Sequence, residues 1–143
     1  MKLKLKINTL DGKWHDRDEI LIHACFQCLV DFIEKEKPDT HINWDSDKEH
    51  KHAWKELTSL YKWWKEIRPT RKDPIYDENI KSPEWEFEAI PNSTYSRLKP
   101  YNKKKYKAWD KACEESRRLD VEWNKEDTNN LIRLIKIRRY MWT

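Results

Sequence analysis

Glycine is almost missing from this chain: Gly12 is the only one among 143 residues. A phosphate-cradling loop, a dinucleotide fingerprint and a nucleophile elbow each need several glycines at fixed spacing, so none of these can be written here. Cysteine is nearly as sparse. Cys25, Cys28 and Cys113 are an odd number, and the first two fall inside an apolar run. They read as small buried hydrophobes in a reducing compartment rather than as a disulfide framework. No apolar run approaches the roughly 18 residues of a membrane helix. The first residues alternate Lys with Leu and Ile instead of forming the continuous apolar stretch of a signal peptide. Serine is scarce too, and no serine or cysteine sits in an activating context, which leaves no nucleophilic triad to assign.

What is present is charge and aromatic bulk. Charged residues make up 39% of the chain and aromatics 13%, including nine Trp. So high a charge fraction is a mark of disorder, but disordered segments are poor in aromatics. Nine Trp instead supply large apolar surfaces for burial. The combination predicts one mainly α domain over 1–143: a compact helical bundle around a buried central helix inside an ionic surface. The net charge of +4 is small beside its components. Its distribution matters more. Arg97, Lys99, Lys103, Lys104, Lys105 and Lys107 form a run with no acid among them, and Arg133, Lys136, Arg138 and Arg139 form a second basic group.

The pattern along the chain places the elements. Leu3, Leu5 and Ile7 alternate with Lys2, Lys4 and Lys6, which predicts a short N-terminal β-strand. Its expected partner is the other alternating stretch, Trp85, Phe87 and Ala89 between Glu84, Glu86 and Glu88. From Asp16 to about Lys37 the residues are apolar on nearly every side, as in a helix surrounded by neighbours, and Pro38 ends it. Ser46, three residues before Glu49, reads as a capping box that opens a second helix running to Arg68. Its stripe is Ala53, Trp54, Leu57, Leu60, Tyr61, Trp64 and Ile67. Between Pro69 and Pro100 lies a long Pro-containing surface excursion, pinned by Tyr76, Trp85 and Phe87. Helical spacing returns from about Asn102 through Tyr106, Trp109, Cys113 and Trp123, then Leu131, Leu134 and Ile135. Either Asp127 caps a separate last helix or the whole stretch is one.

Several constellations bear on chemistry. Asp16, Glu19 and His23, with Glu49 and His52, are the nearest approach to metal ligands. Di-iron carboxylate bundles need two Glu-x-x-His pairs and two further Glu, however, and only one such pair exists. No metal or other cofactor is therefore assigned, and no catalytic residue. Phosphate chemistry run by carboxylates and a metal is the best enzymatic alternative, with Asp16, Glu19 and Glu126 as its acids. The run Tyr95, Arg97, Lys99, Tyr101, Lys103, Lys104, Lys105, Tyr106 and Lys107 interleaves cations with rings, the pattern that neutralises phosphates and stacks on bases. Trp63 falls beside its helical stripe and Trp142 lies outside any, so both are expected at the surface as anchors for a partner or a second subunit.

Three segments, HDRDEILIHACFQCLVDFIEKE, WDSDKEHKHAWKELTSLYKWWKEIRP and EDTNNLIRLIKIRRYMWT, together resemble a family of small uncharacterised proteins of tailed bacteriophages. The resemblance implies expression in the host cytoplasm and transfers no site. It favours a non-enzymatic accessory protein that binds a host or viral macromolecule, protein or nucleic acid, for instance to inhibit a host defence; a virion component is the other alternative. No membrane partner is expected.

Overall fold

The computed structural model describes residues 4–142. The chain is mainly helical, as its spacing predicts. Three α-helices, α1 (Arg17–Asp31), α2 (Lys48–Lys62) and α3 (Lys107–Ile137), are joined by short turns and one small hairpin of β1 (Phe87–Ala89) and β2 (Ser96–Leu98). The elements group into two compact units: the chain up to Arg71 together with the chain from Asn124 onward, and Lys72–Trp123.

In the first unit, α1 and α2 bury complementary faces. Phe26 and Leu29 of α1 and Leu57 and Leu60 of α2 are fully enclosed, and Leu134 and Ile137 from the end of α3 complete the core. Each such side chain contributes about 1.5–3 kcal/mol by leaving water. α1 is not enclosed on all sides, however. Leu21 is 58% exposed, Cys28 is exposed and Cys25 is half-buried. The all-apolar pattern therefore corresponds to one covered face and one open face: Cys28 is not the buried hydrophobe expected, whereas Cys25 packs half-buried against the core.

Both helices end in a widened π turn, Phe32–Glu36 after α1 and Trp63–Ile67 after α2. After the first, Lys37 takes a left-handed conformation (φ 48°) and Pro38 stops the helix. α2 is capped by Asp47, whose carboxylate accepts from the His50 backbone N–H at 2.8 Å. Ser46, the expected cap, instead donates to Asp47. Asp wins because its carboxylate is the stronger acceptor at a positive helix end.

The predicted N-terminal strand does not form over residues 4–8, and Lys2 and Leu3 lie outside the described residues. The segment is tied to α1 by polar contacts instead. The Asn8 N–H donates to Gln27 Oε1 at 3.0 Å, and Thr9 Oγ1 meets His23 Nδ1 at 2.6 Å. β1 finds its partner within the excursion: Phe87 pairs with Leu98, Glu88 with Arg97 and Ala89 with Ser96, antiparallel. A local hairpin closes a short loop, whereas pairing with residues 4–8 would close one of roughly eighty residues at greater entropic cost.

The second unit contains that hairpin and the first part of α3. Only Pro83 and Ala112 are buried in Lys72–Trp123. Polar ties hold it together. Asp73 accepts from the Ile75 N–H and from Ser116 Oγ, Tyr101 donates to Asp110, and Asn102 Oδ1 accepts from the N–H groups of Lys104 and Lys105. α3 is a single helix through Asp127, so the alternative of a separate capped helix is excluded.

Candidate binding surface

The basic-aromatic run divides into two parts with different electrostatics. On the hairpin, Arg97 pairs with Glu88 at 2.5 Å and Lys99 with Glu86 at 3.2 Å, since the register sets these residues opposite one another on one face. Their charge is spent inside the protein. Past Tyr101 the run turns on Asn102, and Lys103, Lys104 and Lys107 project with no ion pair among the described residues. Lys105 Nζ lies over the Tyr106 ring, 5.3 Å from its centroid. The unneutralised charge is therefore confined to one turn and the start of α3.

Tyr101 is not free to reach a partner with its hydroxyl. It is half-buried and donates to Asp110, which raises its phenol pKa. Its ring joins a cluster: Trp85 meets Tyr101 at 6.2 Å and Trp109 at 6.1 Å, and Tyr101 meets Tyr106 at 5.9 Å, all edge to face. Trp85 does pin the excursion, but Tyr76 and Phe87 do not. Tyr76 is exposed, and Phe87 is 67% exposed on the hairpin face opposite the ion pairs. The alternation of Phe87 with Glu86 and Glu88 marks a two-sided segment, but no residue in it marks which side is left uncovered.

Trp63 is not a surface anchor. It is 6% exposed, packs against Phe26 at 5.2 Å and donates its indole N–H to Glu126. The π turn that begins at Trp63 explains the discrepancy. A widened turn departs from the 3.6-residue period, so two successive residues, Trp63 and Trp64, both reach the core. Trp142 is 64% exposed.

Of the acids proposed for metal or hydrolytic chemistry, Glu19, Glu49 and Glu126 are engaged elsewhere. Glu126 and Asp127 bind cations: Arg68 makes a two-pronged contact with Asp127 at 3.1 and 2.9 Å, and Arg71 reaches both acids. Burial would raise the Asp127 pKa, but hydrogen bonds from Arg68 and Arg71 outweigh it and hold the carboxyl below its usual range. Arg68 also lies over the Trp64 ring at 4.8 Å.

Glu19 and Asp11 flank the His15 ring at 3.1 and 2.9 Å, one on each nitrogen. Donation to both carboxylates requires the imidazolium, and these hydrogen bonds raise the His15 pKa. His23 is buried, which lowers its pKa, and it packs edge-on to Trp64. Asp16 precedes α1 without a side-chain cap contact. Glu49 accepts from the Tyr140 hydroxyl, and it lines an open hollow with His52 among Lys48, Lys136 and Arg139, cations that oppose a metal ion. Among the described residues no group of three or more His, Cys, Asp or Glu is arranged to hold a metal. Partial desolvation pushes the Cys25 thiol up, and partial desolvation together with the nearby Asp31 carboxylate pushes up that of Cys28 on the outer side of the helix, away from the reactive thiolate. No helix among the described residues is long and apolar enough to cross a membrane.

Comparison with known proteins returns no matching family model, no matching curated protein and no matching solved structure.

Proposed function

We propose that this chain is a non-enzymatic accessory protein of phage origin that works in the host cytoplasm by binding a macromolecule through the surface of Lys72–Trp123. The observation that carries the reading is the conjunction of unspent lysines with uncovered rings. Lys103, Lys104, Lys105 and Lys107 are exposed beside a unit in which Trp85, Phe87 and Tyr95 remain in water. Clustered exposed apolar groups are uncommon on soluble monomers and mark interaction sites. Of the residues expected to bind, Lys103, Lys104, Lys105 and Lys107 carry the charge, while Arg97, Lys99 and Tyr101 shape the hairpin and turn that present it.

The test is capture from phage-infected cells with the tagged wild-type chain and with Lys103→Glu, Lys104→Glu and Lys105→Glu combined. These side chains have no ion pair to lose, so circular dichroism should be unchanged. The associated macromolecule is expected to be lost from the triple variant. Equal capture by both chains would sink the reading.

A further inference from the structure

We infer that the ligand of this surface is single-stranded nucleic acid, its bases stacking on Phe87 and Trp85 and its phosphates meeting Lys103, Lys104, Lys105 and Lys107; the inference rests on the binding reading above. Three observations within Lys72–Trp123 carry it.

The first is the way the rings are arranged. Trp109, Trp85, Tyr101 and Tyr106 form a continuous edge-to-face chain with centroid separations of 5.9–6.2 Å. Trp85 remains 49% exposed, and Phe87, two residues along and so on the same face of the extended segment, is still more open. Exposed ring surface of this kind can accept any base by stacking.

The second is where the charge is left over. Acidic and basic side chains are equal in number across this unit. Glu86 and Glu88 pair with Lys99 and Arg97 on the opposite hairpin face, so within the basic-aromatic run the cations left without an acid are those of the lysine turn and Lys107. That turn lies between Tyr101 and Tyr106, two members of the ring chain, so cations and rings alternate over a short length.

The third concerns which partner these groups exclude. Protein interfaces are depleted in Lys. Four lysines beside the apolar surface would have to be desolvated or matched by as many acids if the partner were a protein. A duplex keeps its bases stacked inside, out of reach of Phe87 and Trp85. A single strand presents phosphates and ring faces together.

The experiment measures binding of the full chain to a fluorescent oligothymidylate of about 12 nucleotides and to a duplex of equal length, by anisotropy over a salt series. Four phosphate contacts predict a slope of log K against log salt of about −3 for the single strand. Replacing Lys103, Lys104 and Lys105 by Ala should reduce the slope to about −0.7. Phe87→Ala should weaken binding about tenfold and leave the slope unchanged, since it removes a stacking surface and no charge. Phe87 is exposed, so this variant should keep its fold, with the far-ultraviolet spectrum and melting temperature as checks.

Equal affinity for the duplex, a slope unaffected by the lysine substitutions, or no binding at low salt would each overturn the inference. If oligonucleotides fail while a protein is captured in a Lys103-, Lys104- and Lys105-dependent manner, the nucleic-acid ligand is wrong and the binding reading stands. If capture fails as well, both fall.

Discussion

The two units of this chain are built on opposite plans. The first encloses Phe26, Leu29, Leu57 and Leu60 completely and seals its margin with charged pairs such as Arg68 with Asp127 and Arg133 with Glu56. The second buries only Pro83 and Ala112 and leaves Tyr76, Phe87 and Tyr95 in water. An isolated two-stranded hairpin is marginal by itself, so the second unit depends on polar ties and on helix α3 for its order. Under the proposed function, stability belongs to one region and contact to the other, and the contrast can be tested from either side.

The largest expected effect is a matched pair of truncations. Phe26→Ala should cost about 3–5 kcal/mol, because it removes a fully enclosed ring stacked on Trp64 at 4.6 Å and opens a cavity. Phe87→Ala should change stability by less than about 0.5 kcal/mol. Denaturant unfolding of both variants checks the difference, and similar losses would break the comparison.

A smaller effect belongs to the charged seal. Asp127→Ala strands Arg68 and removes one of the acids on Arg71, which keeps Glu126, and should cost about 2–3 kcal/mol. Because the folded pKa of Asp127 is lowered, its stabilisation is present above about pH 4 and is lost as pH falls through the lowered value. Melting temperatures measured from neutral to acid pH should fall less steeply for Asp127→Asn than for the wild type.

The smallest effect sharpens the edge of the first unit. His15 has a raised pKa, so its contribution is fully present below about pH 6.5 and fades as pH rises through the folded value. Protection factors of the amides at 8–15, which divide out the intrinsic rise of exchange with pH, should fall over that range, and His15→Ala should remove the fall. Constant protection factors in the wild type would show that the contacts to Asp11 and Glu19 do not hold this segment.

The three helices were legible because apolar spacing and Pro38 and Pro69 bracket them. Residues 4–8 misled because alternation reports a two-sided segment and says nothing about whether a partner strand can reach it. Trp63 misled because its period breaks where the turn widens, and no residue type signals that widening. Of the candidate surface, the lysines were legible as an unbroken run. The neutralisation of Arg97 and Lys99 was not, since it depends on a hairpin register fixed by pairing across the turn at 90–95.

The widened turn at Trp63–Ile67 also determines where the chain tolerates a change of length. A π turn holds one residue more than the α turn it replaces, so this stretch carries a spare unit of chain. Deleting exposed Lys65 would return the turn to the ordinary period and leave Arg68 facing Asp127. Deleting a residue inside Lys48–Lys62 has no such slack: everything after it would rotate by about 100° and the arginines would leave their acids. In evolutionary terms the two ends of the same helix are under unequal constraint, and a relative shorter by one residue should have lost it at the wide turn.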